Sequence, residues 1–137
     1  MADLVITAAN VKPIGTTTAV QRVQFGESVT HGQPVYRKSA DGKYYRANAT
    51  TSIETAEAKG IAVTPGLADE YGYIVTEGTI ALGAALTVGE IYVCSGTAGG
   101  IAPEADLSTG EYVTILGVAV STAQLCINIF SSDAQIP

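Results

Sequence analysis

The sequence predicts an all-β fold, a small β-sandwich or barrel-like domain of two related hairpin units, with an extended N-terminal arm and at most one short helix. First, glycines recur at a distance of 57 positions. Second, the residues between them are mainly β-branched or aromatic, which favours strands. Third, 47% hydrophobic and 15% charged residues in a chain of 137 residues are typical of one ordered domain. The repeated pairs are Gly26 with Gly83, Gly32 with Gly89, Gly42 with Gly99 and Gly60 with Gly117.

The N-terminal region is predicted to lie outside the repeated units. Residues 4–18 show no clean period and contain Pro13 and Gly15, so residues 1–19 are interpreted as an extended arm. Residues 20–25 alternate apolar and polar side chains, as a half-buried strand does. The β domain is therefore expected over residues 20–130, with related halves at 26–82 and 83–130, followed by a C-terminal tail over 131–137.

Each half begins with a predicted hairpin. In the first half, strands over residues 35–38 and 43–47 flank Asp41-Gly42, and Asp-Gly between strand-forming runs is a strong hairpin signal. In the second half, a strand over 91–94 is followed by a loop over 96–100 and a short strand from residue 101. Each half then closes on a strand, over residues 60–64 and 113–121.

Three further elements are expected. Residues 51–58 favour one or two turns of helix, because a Ser or Thr cap precedes Glu54. Residues 73–75 and 79–81 flank Thr76-Glu77-Gly78 and predict a hairpin between the halves. Residues 125–130 alternate apolar and other side chains, which predicts a final strand with one buried face.

Charge is distributed unevenly along the chain. All seven basic residues precede residue 60, so the net charge is +2 up to residue 60, −8 beyond it and −6 in total. This balance argues against nucleic-acid binding, which needs clustered Lys and Arg. Two interpretations remain: the acidic surface keeps the protein soluble, or the basic hairpin region docks on an acidic partner. The candidate basic contacts are Arg22, Arg37, Lys38, Lys43 and Arg46.

No pattern in the sequence predicts a catalytic, metal or cofactor site. His31 is the only histidine, so one chain cannot build a two-histidine metal site or a histidine relay, and it is interpreted as a turn residue. Cys94 and Cys126 lack Cys-x-x-Cys spacing and are interpreted as buried free thiols, with a mutual disulfide or a nucleophile as the alternatives. Neighbouring acids such as Glu54 and Glu57 are interpreted as solvated charges. We expect a protein that is not an enzyme and uses no cofactor.

Membrane association and export are not expected. The sequence contains no apolar run of 18 residues. Its first residues lack the basic region and apolar core of a secretory signal.

The seven tyrosines are the strongest candidates for contact chemistry. Tyrosine is favoured at protein interfaces because it offers a large rigid surface with a polar tip. Tyr44 and Tyr45 are adjacent in a predicted strand, so they face opposite sides of the sheet. Together with Tyr36, they are the candidates for a subunit interface.

The motifs resemble those of the small capsid decoration, or cement, proteins of tailed bacteriophages. The resemblance is carried by Val-Thr-x-Gly-x-x-Val-Tyr at 29–36, Gly-Ile-Ala-Val at 60–63, Leu-Thr-x-Gly-x-x-Tyr at 86–92 and Gly-Val-Ala-Val at 117–120, preceded by the arm. These segments extend over most of residues 20–130.

The resemblance implies a homotrimer on the outer surface of a virion, made in the host cytoplasm. Such a protein binds the major capsid protein, bridges neighbouring capsid subunits and stabilises the head. The apolar arm residues Leu4, Val5, Ile6 and Val11 are then candidates for strand addition to a neighbour's sheet edge. The alternative is a receptor- or carbohydrate-binding module of a phage tail or fibre, in which exposed tyrosines stack on sugar rings.

Overall fold

The structure is a computed structural model that describes residues 3–136, with the backbone alone for residues 8 and 15–17. It confirms the all-β prediction, because nine antiparallel strands within this range form one sheet that curls into a half-barrel. Within the described residues the only α-helix is a single turn, which lies inside the stretch predicted to be helical.

The sheet is built symmetrically from the two halves. Its order is β3-β2-β4-β5-β9-β8-β6-β7, with β1 paired to β5. Across the sheet, the strands of the second half therefore follow in the reverse order of their counterparts in the first half, and β5 and β9 are neighbours at the centre. The strands are β1 (Val11–Gln24), β2 (Pro34–Arg37), β3 (Tyr44–Arg46), β4 (Ala58–Ala62), β5 (Tyr71–Leu82), β6 (Ile91–Cys94), β7 (Ile101–Pro103), β8 (Tyr112–Ala119) and β9 (Gln124–Gln135). The helix α1 is Ile53–Ala56, and 3₁₀ turns lie at Ala8–Asn10 and Glu104–Asp106.

The glycine repeat of the sequence corresponds to a repeat of strands. The hairpin strands β2 and β3 have counterparts at the same 57-residue shift: β6 matches β2, and β7 matches β3. Pairing with the next strand shifts register at the same place in both halves, next to Gly60 in β4 and next to Gly117 in β8. The two halves thus share hairpin bounds and bulge positions.

The repeated glycines are required for two different reasons. Gly42 and Gly99 reverse the chain at the hairpins with φ angles of +74° and +76°, which other residues rarely adopt. Gly60 and Gly117 lie inside strands, where they allow a neighbouring backbone to approach. A Cβ at Gly60 would lie 2.7 Å from the carbonyl oxygen of Val75, and one at Gly117 would overlap the carbonyl oxygen of Cys126.

The prediction of a hairpin around residues 76–78 is wrong. β5 continues without a turn from Tyr71 to Leu82 and pairs with β1 along most of its length. Gly78 has a φ angle of +107°, and a Cβ there would lie 2.7 Å from the Cα of Thr18 in β1. This glycine marks a kink in a long strand beside a closely passing neighbour.

The predicted N-terminal arm lies against its own domain. β1 begins at Val11, so residues 11–19 of the arm belong to the sheet. Before β1, the backbone N–H of Leu4 donates to the carbonyl oxygen of Ile101 in β7 at 2.8 Å, and that of Thr7 donates to Gly83 at 2.7 Å. The boundary at residue 19 was placed too late because β1 loses regular register between residues 14 and 19, where the apolar alternation is also lost.

The C-terminal boundary also differs from the expectation. β9 pairs with β8 as far as Gln135, so residues 131–135 of the predicted tail belong to the sheet. Within β9, Leu125 and Ile127 are buried and alternate with more exposed neighbours, as predicted.

The helix begins with a reciprocal cap. The Ser52 hydroxyl accepts a hydrogen bond from the Thr55 backbone at 3.2 Å, and the Thr55 hydroxyl accepts one from the Ser52 backbone at 2.9 Å. Glu54 instead accepts from the backbone of Ser39 at 2.7 Å. The helix is tied to β8, because the Thr114 hydroxyl donates to its carbonyl at residue 56.

The halves share one large core. This main core lies between them and includes side chains from both, for example Val75 and Leu116. A second, smaller cluster surrounds the fully buried ring of Phe25. A Cβ at Gly66 or Gly72 would lie 2.5 Å from that ring, so both glycines make room for it. Apolar burial on this scale is the main source of stability for such a domain.

Candidate contact surfaces

Two of the three tyrosines expected at a subunit interface lie inside the chain. Tyr36 and Tyr44 are 7% and 9% exposed, so in this conformation they are not available to a neighbour, which corrects that expectation. Tyr45 is half-buried, and its hydroxyl donates to Asp41 at 2.6 Å. This hydrogen bond raises the pKa of Tyr45 to about 12 and lowers the pKa of Asp41. Tyr45 is the member of the set that remains accessible.

Two of the five basic candidates are paired within the chain. The Lys43 ammonium lies 2.6 Å from the Asp69 carboxylate, and this hydrogen bond raises the pKa of Lys43. The Arg46 guanidinium lies 3.3 Å from the Glu27 carboxylate. Their charges are compensated locally, so neither contributes a free charge for docking.

The other three basic candidates are spread over the fold. Arg37 is exposed at the end of β2. The Lys38 ammonium lies 4.9 Å from the centre of the Tyr45 ring, and the Arg22 guanidinium on β1 lies 4.2 Å from the centre of the Tyr71 ring. Arg37 and Lys38 are thus adjacent at the end of β2, whereas Arg22 lies on β1.

The apolar arm candidates mostly face inward. Val11 is 6% exposed, and Leu4 and Ile6 pack against the main core. The carboxylate of Asp3 accepts a hydrogen bond from the Ser95 hydroxyl at 2.5 Å. Val5, at 88% exposed, is the one arm candidate whose side chain points to solvent. In this conformation the arm covers an edge of its own sheet.

Two tyrosines that the sequence did not single out from the seven are exposed. Tyr71 and Tyr73 lie two residues apart on β5, on the same face, and are 54% and 45% exposed. Gly72 between them lies against the Phe25 ring on the opposite face. The Tyr-Gly-Tyr alternation is the signal that could have identified them, because a glycine fits where a ring occupies the inner side.

The cysteines are free thiols, as predicted, but only one is fully buried. Burial raises the pKa of the Cys94 thiol to about 12. Cys126 is half-buried, which differs from the expectation. His31 lies in a turn before Gly32, as expected.

One carboxyl group has a raised pKa. Burial raises the pKa of Glu57, and a hydrogen bond with the Asp133 carboxyl raises it further. Among residues 3–136 no group of three or more His, Cys, Asp or Glu side chains is arranged to hold a metal ion.

Two open clefts lie on the surface of the described residues. The larger, of about 600 Å³, runs beside the N-terminal segment and is lined mainly by small residues together with Lys12. The smaller, of about 390 Å³, lies between Thr30 and Leu67. In the part of the chain that the structure describes, no helix is both long and apolar enough to cross a membrane.

Comparison with known proteins identifies no relative. No protein-family model matches the chain, and no curated protein or solved structure is significantly similar to it. The fold and surfaces of the chain itself, a duplicated all-β half-barrel, are the basis for its functional interpretation.

Proposed function

We propose that this protein is a capsid decoration protein of a tailed bacteriophage. It binds the major capsid protein on the outside of the head as a homotrimer, bridges neighbouring capsid subunits and stabilises the shell. Its place is then the surface of the virion, after synthesis in the host cytoplasm.

The observation that supports the proposal is the pair of glycine-punctuated hairpins. Their residues carry the sequence resemblance to decoration proteins. They also form hairpins of equal strand length at the same spacing, joined by one core. A rigid duplicated scaffold suits a protein that has to hold fixed positions on a lattice.

The test is binding to phage heads that lack their outer proteins, with bound copies located by cryo-electron microscopy. We expect ordered density at three-fold or quasi-three-fold positions of the shell. If the purified protein leaves the heads bare at concentrations well above those of the capsid subunits, the decoration function is refuted.

For the arm to contact a capsid subunit, the hydrogen bond from Leu4 to Ile101 in β7 must first break. Residues 11–18 belong to β1, so the suitable variant lacks residues 2–7 only. Loss of head binding by this variant, with an unchanged circular dichroism spectrum, would support strand addition by the arm. Unchanged binding would exclude it. Charge reversal at Arg37 and Lys38 tests the electrostatic route in the same assay.

The alternative is carbohydrate binding by a tail or fibre module, and the exposed pair Tyr71 and Tyr73 favours it. Two rings on one strand face offer a stacking surface for sugar rings. The test is NMR titration with host surface glycans. Shifts confined to these residues and abolished by Tyr73→Ala would support the alternative, while an unchanged spectrum would exclude it.

A further inference from the structure

One face of the sheet is buried in the first half, whereas the equivalent face of the second half is partly exposed. In the second half this face consists of side chains that point away from the main core, and we call it the outer face. Directly paired residues on neighbouring antiparallel strands point to the same side of a sheet. By this criterion Ile91 pairs with Val118 and Val118 with Cys126, while Val93 pairs with Ile115 and Ile115 with Phe130. Ile91 and Val93 are two residues apart on β6 and so face the same side. The outer face is therefore Ile91, Val93, Ile115, Val118, Cys126 and Phe130.

The outer face is apolar and accessible in part. Phe130 is 61% exposed and Val118 is 39% exposed, Ile91, Ile115 and Cys126 are half-buried, and Val93 is fully buried. None of the six carries a charge. Exposed apolar side chains grouped on one face of a sheet are a mark of an interaction site.

The equivalent face of the first half is buried. In the first half Pro34 pairs with Ile61, as Ile91 pairs with Val118 in the second half. Ile61 then pairs with Val75, as Val118 pairs with Cys126. Ile61 and Val75 are both 0% exposed, and Ala58, the counterpart of Ile115, is 2% exposed. All three belong to the main core, where the second half covers them. The same repeat position is therefore covered in one half and uncovered in the other.

Charge restricts what can cover the outer face. Residues 61–137 contain eight acidic and no basic residues, and Glu90 directly precedes Ile91 at the border of the face. Two acidic halves repel each other, so charge disfavours pairing of this face with the same face of a second copy. A surface with an apolar centre and basic surroundings would complement both the shape and the charge of this half.

We propose that the outer face of the second half is a docking surface for a protein surface with an apolar centre and a rim of Lys and Arg side chains. The inference rests on the proposed function in one respect, which is that the major capsid protein supplies this surface. It assigns capsid contact to the acidic half, whereas the sequence pattern pointed to the arm and the basic hairpin.

The test uses Phe130→Lys on the outer face and Leu67→Lys as its matched control. Leu67 is 62% exposed on a loop outside the outer face, so both variants exchange an equally exposed apolar side chain for the same charge. We expect Phe130→Lys to weaken binding to undecorated heads by about tenfold or more. Leu67→Lys and the conservative Phe130→Leu are expected to bind like the unaltered protein. Raising the salt concentration is expected to weaken binding, since it screens the attraction.

The native thiols provide a second readout that needs no variant. Cys126 lies in the outer face, whereas Cys94 is fully buried. We expect maleimide to label Cys126 in the free protein and to be excluded from it on heads, as followed by mass spectrometry of the peptide. Cys94 is expected to remain unlabelled in both states.

The outcomes separate the inference from the proposed function. If the unaltered protein binds heads and Phe130→Lys binds equally well with Cys126 still labelled, the outer face is not the docking surface, while the decoration function stands. If the unaltered protein does not bind heads, the decoration function and this docking partner both fail. If raising the protein concentration alone protects Cys126, the occupant is a second copy and the proposed partner is wrong.

Discussion

Replacing Gly117 by alanine tests whether the repeated glycines inside strands are needed for close strand approach. The added Cβ would overlap the carbonyl oxygen of Cys126 in β9 and lie 2.9 Å from its carbonyl carbon. Both obstructing atoms are backbone, so no side chain can rotate out of the way. β8 and β9 would have to separate at the point where Gly117 pairs with Ile127.

The expected loss of stability follows from two contributions. Weakening the ladder hydrogen bonds on either side of the site costs about 1 kcal/mol for each bond, and forcing extra atoms into a packed region costs about 1–3 kcal/mol. We therefore expect Gly117→Ala to lower the free energy of unfolding by about 3–5 kcal/mol, out of a total of about 5–15 kcal/mol for a domain of this kind. The melting temperature would fall by about 10–20 °C.

Urea denaturation followed by circular dichroism measures this loss, with Gly89→Ala as the control. Gly89 has a φ angle of +83°, and beyond its chain neighbours no atom lies within 4 Å of the place that the alanine methyl group would take. Only the backbone conformation therefore opposes alanine at this position, at about 1–2 kcal/mol. A loss below about 1 kcal/mol for Gly117→Ala would refute the close-approach explanation. An equal loss for both variants would show that the close strand approach at Gly117 costs no more than the left-handed backbone conformation at Gly89.

Three further predictions concern the small cluster, the acidic pair and the thiols. Phe25→Ala should lower the free energy of unfolding by about 3–5 kcal/mol, because it empties a fully buried ring site; a loss under about 1 kcal/mol in urea denaturation would contradict this. The raised pKa of Glu57 means that its contribution favours folding at low pH and is lost as the pH rises through the folded-state pKa, so Asp133→Asn should raise the melting temperature at pH 7 more than at pH 4. An equal shift at both pH values would argue against that coupling. In folded protein, a thiol reagent should modify Cys126 while Cys94 reacts only on unfolding; reaction of both at one rate would contradict the burial of Cys94.

The hairpins could be predicted from the sequence because their signals are local. Asp41-Gly42 specifies a reversal between two short strands, and the observed strands β2 and β3 begin and end one residue from the predicted bounds. Gly78 shows the limit of such signals. A glycine with positive φ fits a turn or a kink, and here the neighbouring β1, some sixty residues earlier in the chain, makes it a kink.

The contact residues could not be predicted from alternation alone. Alternation separates the two faces of a strand, but it identifies the exposed face only when one side of the sheet is covered. In β5 the adjacent residues Ile74 and Val75 are both fully buried, one in each cluster, while Tyr71 and Tyr73 just before them are exposed. Which tyrosine reaches solvent therefore depends on the packing of the two halves, which no short window of sequence contains.

The two ends of the sheet explain why we favour a face over an edge as the docking surface. At β3 the backbone N–H of Gly26 donates to the carbonyl oxygen of Tyr44, and at β7 that of Leu4 donates to Ile101, the counterpart of Tyr44 in the repeat. Each end of the sheet path thus has a covering segment of its own chain, which is how β proteins protect their edges from other strands. Strand addition at β7 would first have to displace Leu4 and lose its core packing. Docking on the outer face requires no such displacement. The equivalent face of the first half is buried in the main core that joins the halves, whereas Phe130 and Val118 on the outer face are already exposed.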